Sequence, residues 1–264
     1  MIEFGILGPL VIYRDGVPVV LRAPMLRRLL AVLLSQGGHR LSLDELADAL
    51  WEGTPPDGAR STLQVYVHRL RKVLDDGGRL VRDGPGYRLE LCSAEVDARR
   101  FETTVVHARR ARGRRELRQA SETYCHALAL WRGRPYSDIP NSGVVANEIR
   151  RLEELRLLTD QERIETDLDR GHHARMVPEL TELAAAHPYR ERLLALLMLA
   201  LYRSGRQAEA LGIYRGARLR LSSELGVEPT VPLRRLHEAI LRADGQLLRI
   251  TSEDLDTQWE PSAA

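Results

Sequence analysis

The stretch "STLQVYVHRLRKVL", residues 61–74, decides which fold the first third of the chain adopts. Its apolar residues Leu63, Val67, Leu70 and Leu74 recur at the spacing of one helical face, which predicts an α-helix buried along that face. The opposite face holds Ser61, Val65, His68, Arg69 and Lys72, flanked by Thr62 and Gln64, with Arg71 nearer the core boundary. No acidic residue occurs in this stretch, and Lys72 is the only lysine of the chain.

The flanking sequence predicts the neighbours of this helix. Residues 2–21 alternate as short strands around a tight turn at Asp15-Gly16, and a helical apolar stripe follows from Pro24. Ser42 and Glu45 form a capping box that opens a second helix. Residues 78–91 read as a β-hairpin that turns at 83–86. Strands, three helices and a hairpin in this order predict a winged helix-turn-helix.

The outer face of the third helix admits two interpretations. A solvated face normally mixes both charge signs and has no reason to expose Val65. A helix in the DNA major groove uses this mixture, because arginine forks onto guanine, glutamine pairs with adenine and an apolar group touches the thymine methyl. Cations at its edges meet phosphates. The hairpin favours the DNA interpretation, since it resembles a wing whose Arg82 and Arg88 can reach the backbone or the minor groove.

The composition is that of a soluble globular protein, with 44% apolar and 29% charged residues and a formal net charge of +2. Cys92 and Cys125 are far apart and predict reduced thiols. The N-terminus lacks the positive charge of a signal peptide, and the longest apolar run, residues 193–202, is too short to cross a bilayer. We therefore expect a cytoplasmic protein without membrane contact.

Beyond residue 94 the strand signals stop and helical patterns take over. Helices are expected at 97–111, 114–131, 142–170, 174–186, 190–203, 207–224 and 230–243. The pair around Tyr202, Gly205, Ala210, Tyr214 and Ala217 carries a tetratricopeptide-like pattern. The predicted fold class is mainly α with small β elements: a winged helix-turn-helix over 1–94, then an all-α helical-repeat domain over 95–244. Residues 245–264 are expected to form a disordered tail.

Catalytic and metal-binding motifs are weak. Lys72 does not follow a glycine, as a Walker A loop requires, and neither a nucleophile elbow nor a zinc-protease helix occurs. His172-His173 lack a third ligand at a suitable spacing, so no metal and no cofactor are expected. The arginine-rich stretch 108–115 either attracts phosphates nonspecifically or forms salt bridges with nearby acids, and the second interpretation is favoured.

Longer motifs resemble known proteins. Residues 59–74 with "GPGYRLEL" (84–91) resemble the winged helix of OmpR/PhoB-type response regulators. Five further stretches resemble the bacterial transcriptional activation domain. They are "EVDARRFE" (95–102), "ALALWRGRPYSDI" (127–139), "RRLEELRL" (150–157), residues 182–215 and "LSSELGVEPTVPLRRLHEAIL" (221–241). Together and in this order they resemble the Streptomyces antibiotic regulatory protein family over about residues 1–244.

The resemblance implies a non-enzymatic activator of secondary-metabolite gene clusters. Such proteins bind direct repeats in double-stranded promoter DNA, typically as side-by-side protomers or dimers, and help RNA polymerase engage, in part through the sigma factor. The candidate DNA-binding residues are Arg60, Ser61, Thr62, Gln64, Val65, His68, Arg69, Arg71, Lys72, Arg82 and Arg88. Two alternatives remain open: a helical-repeat scaffold that binds protein or peptide, and a repressor with the same DNA chemistry.

Overall fold

The computed structural model describes residues 2–74, 78–140 and 143–255. Its strands are β1 (Ile2–Gly5), β2 (Val11–Arg14), β3 (Val17–Val19), β4 (Leu41–Ser42), β5 (Leu80–Asp83) and β6 (Gly86–Leu89). Its α-helices are α1 (Pro24–Ser35), α2 (Leu43–Trp51), α3 (Ala59–Leu74), α4 (Asp97–Gly113), α5 (Leu117–Leu128), α6 (Gly143–Asp169), α7 (His173–Ala186), α8 (Glu191–Arg203), α9 (Gln207–Arg220) and α10 (Val231–Leu241). The mainly α fold class with small sheets is confirmed.

The N-terminal strands form an antiparallel sheet in the order β1-β2-β3. The expected tight turn joins β2 to β3, and both of its residues have positive φ, 51° at Asp15 and 79° at Gly16. Two-residue hairpin loops need such angles because they match the twist of the flanking strands. Alternate strand residues such as Phe4 and Ile12 are buried beneath the sheet.

The three helices of the winged helix form as their sequence signals predict. Pro24 occupies the first turn of α1, where a missing N–H is harmless. The capping box of α2 is present: the Ser42 side chain accepts from the Glu45 N–H, and the Glu45 carboxylate accepts from the Ser42 N–H. Hydrogen bonding with Ser42 lowers the pKa of Glu45. The three helices pack on one another through leucines such as Leu29, Leu46 and Leu63, all fully buried.

The wing is a three-stranded sheet in the order β4-β6-β5. The hairpin was predicted, but the two-residue strand β4 was not, because two residues carry no readable period. Leu41 pairs with Tyr87 and Ser42 with Gly86. Gly86, expected in the turn, is therefore the first residue of β6, and the loop contains only Gly84 and Pro85. The third strand fixes the wing to the start of α2.

The chain divides into two compact units, residues 1–107 with 123–159 and residues 108–122 with 160–264. The first unit extends past the expected domain boundary at residue 94, because later segments satisfy the backbone of the loop after β1. The buried Asp97 carboxylate accepts from the Ile6 N–H at 2.8 Å and the Leu7 N–H at 3.2 Å. Asp138 accepts from the Leu10 N–H at 2.8 Å. Within the first unit, these bonds account for the placement of Asp97 and Asp138 beside the loop after β1.

The core of the second unit lies around α8, whose residues 193–201 are all buried. The tetratricopeptide-like positions Ala210, Tyr214 and Ala217 face this core from α9, where small residues allow close packing. Two arginines of the arginine-rich stretch form the salt bridges that the sequence favoured. Arg109 contacts Glu162, and Arg112 contacts Glu165, each at 2.9 Å.

Two expectations for the helical region need correction. The helix expected at 114–131 spans only 117–128; the chain turns at Arg115, which has a φ of 61°. The disordered tail expected from residue 245 is wrong for residues 245–255, which form two 3-10 turns with Leu247 and Leu255 buried. Residues 256–264, also expected in that tail, lie outside the described residues.

Candidate nucleic-acid interface

The helix α3 forms because its apolar residues line one face and hydrogen bonds start it cleanly. Leu63, Val67, Leu70 and Leu74 are all buried, as the spacing predicted. At its start the Thr62 N–H and the Ser61 hydroxyl both donate to the carbonyl of Gly58. The buried stripe fixes the rotation of the helix about its axis, and this rotation determines which side chains face outward.

The outward side chains are those that the sequence proposed. The outer α3 face comprises Gln64, Val65, His68, Arg69 and Lys72, and all five are exposed, with Val65 48% accessible. Within the part of the chain that the structure describes, none of the polar members of this face has a hydrogen-bond or salt-bridge partner. The exposed polar groups of this face, beside the exposed side chain of Val65, are accessible to an external ligand.

The start of α3 is engaged within the protein. The Arg60 guanidinium forks onto the Asp44 carboxylate at the first turn of α2, with nitrogen–oxygen distances of 2.9–3.1 Å. Both side chains are about 70% exposed, so solvent screens this pair and it contributes little to stability. Thr62 is half-buried and the Ser61 hydroxyl serves Gly58. These three candidates are less available than the outer α3 face.

Arg71 differs most from the other candidates. Its Nε and Nη2 atoms donate to the Leu80 carbonyl at 2.9 and 2.7 Å, and its guanidinium lies 5.8 Å from the ring centroid of Tyr87. The side chain therefore ties α3 to both strands of the wing hairpin. Its contact geometry is that of a residue that positions the wing, whereas the sequence had placed it among the groups that touch DNA.

The two wing arginines point away from each other. Arg82 pairs with Tyr87 and Arg88 with Val81 across the hairpin, so the two-residue period of a strand places them on opposite faces. Arg82 is exposed. Arg88 is half-buried and contacts Glu90 at 2.9 Å and Asp83 at 3.7 Å. Of the two, Arg82 is the more accessible to an external phosphate.

The sequence reasoning missed one cation beside the wing. Arg40 precedes β4 and is exposed, and its Nη1 lies 3.5 Å from the position that a Cβ on Gly84 would occupy. Arg40 therefore lies at the tip of the hairpin. The missed signal was β4 itself, because only its pairing with β6 brings residue 40 to the turn.

Buried ion pairing supports the base of the wing. The Arg79 guanidinium lies 2.8 Å from the Glu95 carboxylate, which also accepts from the Cys92 N–H at 2.8 Å. The hydrogen bond from Arg79 lowers the pKa of Glu95 in spite of partial burial. The ion pair thus joins Arg79, which precedes β5, to Glu95, which follows β6.

The histidine pair His172-His173 was the candidate metal site of the sequence, and it is not part of a larger ligand group among the described residues. In residues 2–74, 78–140 and 143–255, no three side chains of His, Cys, Asp or Glu are grouped to hold a metal ion. The His172 Nδ1 atom lies 3.7 Å from the Asp167 carboxylate. No helix among the described residues combines the length and the apolar character needed to cross a bilayer.

Known proteins share this architecture. Residues 19–89 match the family described as "Transcriptional regulatory protein, C terminal", and residues 96–241 match "Bacterial transcriptional activator domain". Regulatory protein AfsR of Streptomyces coelicolor is 42% identical over 97% of the chain, which spans only 26% of AfsR. Regulatory protein DnrI of Streptomyces peucetius is 38% identical, with 92% of this chain and 93% of DnrI covered.

A solved structure gives the same picture. Mycobacterium tuberculosis EmbR, in complex with a low affinity phosphopeptide, matches with a TM-score of 0.87 at 34% identity. The match covers 96% of this chain and 67% of that one. The winged helix followed by the helical region is therefore an arrangement found in a solved homologue.

Proposed function

Because the chain belongs to the Streptomyces antibiotic regulatory protein family, we propose that it is a sequence-specific DNA-binding activator of transcription for a secondary-metabolite gene cluster. The observation that carries the proposal is the outer α3 face, which is exposed, cationic and free of acidic residues. Regulation of this kind needs no reaction by the chain itself, so the proposal includes no active site.

In the proposed complex α3 enters the major groove. Arg69 forks onto the O6 and N7 of a guanine, Gln64 pairs with an adenine edge and Val65 contacts a thymine methyl. His68 and Lys72 contact phosphates in this proposal, and such contacts position the helix without reading sequence. Among the described residues these groups have no internal partners, so binding requires no exchange of partners within that part of the chain.

The wing completes the contact in this proposal. Arg82 and Arg40 are exposed near the hairpin and supply phosphate contacts beside the groove that α3 occupies. Arg71 holds the hairpin at a fixed position relative to α3 through the Leu80 carbonyl. Arg60 and Arg88 reach DNA only by exchanging their carboxylate partners for phosphates.

We further propose that two protomers bind side by side on direct repeats and that the helical region contacts RNA polymerase, in part through its sigma factor. The similarity to AfsR and DnrI, which are named as regulatory proteins, supports a regulatory role. In a reconstituted transcription assay an activator raises the yield from its target promoter, whereas a repressor with the same DNA contacts lowers it. A protein-binding scaffold changes neither yield nor DNA retention.

Replacement of Arg69 tests the base contact. Arg69→Ala is expected to weaken binding to the target repeat by about 1–3 kcal/mol and to relax preference at one base pair. Fluorescence anisotropy with the target and four single-base variants measures both effects. Arg242→Ala, at an exposed arginine after α10, is the matched control and is expected to bind as the wild type does. If the Arg69 variant distinguishes the target from the single-base variants as well as the wild type does, the proposed base contact is wrong.

Replacement of Lys72 tests the phosphate contact. Lys72→Ala is expected to weaken binding to all sequences alike, because a phosphate contact carries no base information. The slope of log K against log salt concentration should become shallower by about 0.9, the contribution of one neutralised phosphate. A titration from low to moderate salt measures this slope. An unchanged slope would place Lys72 away from the DNA backbone.

A further inference from the structure

The C-terminal segment of the second unit occupies a groove. The segment, residues 245–255, is called the strap here. Leu247 and Ser252 are fully buried and Leu255 is 6% exposed, although the strap contains only two short 3-10 turns. A segment this short cannot bury side chains by itself, so their burial depends on contacts with the surrounding helices.

Two arginines of α8 bind the strap through its main chain. Arg203 donates from Nε to the Leu247 carbonyl at 2.7 Å and from Nη2 to the Ile250 carbonyl. Arg192 donates from Nη2 to the Ser252 carbonyl at 2.7 Å. Every peptide offers carbonyl oxygens, so these contacts hold the main chain of the strap irrespective of its side chains.

A polar pocket recognises Ser252 by both its backbone and its hydroxyl. Its N–H donates to Asp169 Oδ1 at 2.7 Å, and its Oγ donates to Asp169 Oδ2 at 3.0 Å. The same Oγ accepts from Arg112 Nη2 at 3.1 Å. Glu165 holds Arg112 and Arg192 in place, with contacts of 2.9 and 2.8 Å. The Ser252 side chain is therefore fully buried between the Asp169 carboxylate and the Arg112 guanidinium.

Apolar residues of the strap join the core of the second unit. Leu247 and Leu255 belong to the same buried cluster as the leucines of α8 and α10. Leu255 lines a small cavity of about 80 Å³ together with Leu233 and Leu236. Along the strap, one buried leucine thus lies on each side of the polar contacts at Ser252.

We propose that this groove is a peptide-binding site that the strap fills in cis. Its ligand class is a peptide with a serine that follows one leucine-sized residue by five positions and precedes another by three. The strap leaves α10 through Ala243, whose φ is 53°, and Gly245, both exposed. A peptide of this pattern from another protein takes the place of the strap when the strap swings out at this point. The site uses no residue of the outer α3 face, so it stands apart from DNA binding.

A tethered occupant competes strongly with a free one. The short covalent link to α10 holds the strap at an effective concentration of about a millimolar or more, so a free peptide binds the intact chain weakly. Removal of the tether removes this advantage. The proposal therefore predicts a large difference in peptide affinity between the intact chain and a chain cut between α10 and the strap.

The experiment inserts a protease recognition sequence after Ala243, and the full chain is purified before it is cut. A fluorescent peptide of residues 244–255 should bind the cut chain at least tenfold more tightly than the uncut chain. A peptide with Leu247→Ala and Leu255→Ala should lose at least tenfold, and a scrambled peptide should not bind. No binding to the cut chain, or equal binding of the scrambled peptide, overturns the proposal.

Hydrogen exchange on the uncut chain provides a second test that does not depend on the insertion. The amides of the strap should exchange at least tenfold faster than those in the middle of α8, because the strap opens without unfolding the core. Arg203→Ala should raise strap exchange a further tenfold and leave the middle of α8 unchanged. Exchange of the strap only together with α8 would show that it is a fixed part of the core.

Discussion

Gly86, the first residue of β6, can lie close to β4 because it has no Cβ atom. A Cβ at this position would lie 2.0 Å from the carbonyl oxygen of Leu41, in the strand beside it. Any side chain therefore forces β4 and β6 apart. The sequence suggested a glycine required by a turn, whereas the structure shows a glycine required by a neighbouring backbone, which only tertiary pairing reveals.

Gly86→Ala is expected to lower the free energy of unfolding by about 1–3 kcal/mol, the usual effect of overpacking. Thermal denaturation measures the change. Gly212→Ala is the control, because nothing lies within 4 Å of the position that its Cβ would take inside α9. That control should gain up to about 1 kcal/mol from helix propensity. If Gly86→Ala melts with the wild type, the close approach of Leu41 is wrong.

His237 is a residue whose burial makes stability depend on pH. Its ring stacks on Tyr214 with centroids 3.8 Å apart and planes 11° apart. Burial lowers its pKa below the ordinary value of 6.5, so the unfolded chain binds a proton more readily than the folded one. The stability that neutral His237 contributes is therefore present above pH 6.5 and is lost as the pH falls.

His237→Phe keeps the stacked ring and removes the titration. The variant should lose less stability than the wild type between pH 7.5 and pH 5, as measured by urea unfolding at both values. Burial also lowers the pKa of His173, so the variant retains part of the dependence. Equal losses in the two proteins would show that His237 titrates alike in the folded and unfolded states.

The helices were largely predictable as elements because their apolar residues repeat at 3.6-residue spacing. The apolar stripe of α3 predicted the bounds of the helix and its outward face. The spacing alone therefore predicted that Arg69 and Lys72 are exposed. The strap was missed because its 3-10 turns have no such repeat. Its partners Arg192 and Arg203 are distant in sequence, and nothing local signals their contact with residues 247–252.

Glu165 joins three helices through buried charge. Its side chain is 6% exposed and contacts Arg112 on α4 and Arg192 on α8. Glu165→Ala leaves two arginines without a common counter-ion and should lower the free energy of unfolding by about 3–5 kcal/mol.

Chemical denaturation measures the effect of this substitution. The control Glu122→Ala breaks an exposed pair with Arg118 within α5 and should leave the unfolding midpoint nearly unchanged. If the unfolding midpoint of Glu165→Ala is also nearly that of the wild type, the buried cluster adds no net stability.

At the scale of the whole molecule, the compact units do not follow the order of the sequence motifs. Asp97 lies beyond the winged-helix motif, yet it accepts two backbone N–H groups of the loop after β1 and contacts Arg132 at 3.2 Å. Sequence periodicity places helices but not the partners of a loop backbone. The boundary at residue 94 therefore remains a prediction about motifs, while the first unit includes residues up to 159.

The proposed function also belongs to the scale of the whole molecule, because the outer α3 face acts together with the wing and the helical region. The outer α3 face is exposed as the sequence predicted, and its side chains were assigned from helical spacing alone. In the proposed complex, the base that each side chain meets depends on the path of the DNA and on a second protomer, so it was not predictable from the sequence. The target promoter likewise depends on base pairs that the protein sequence does not encode.

The most direct measurement is a footprint of the full chain on the promoters adjacent to its gene. The wild type should protect a pair of direct repeats, and the Arg69→Ala, Lys72→Ala double variant, with unchanged circular dichroism, should protect neither at the same concentration. Protection of the same repeats by the folded double variant, or no protected sequence with the wild type, would contradict DNA recognition by α3.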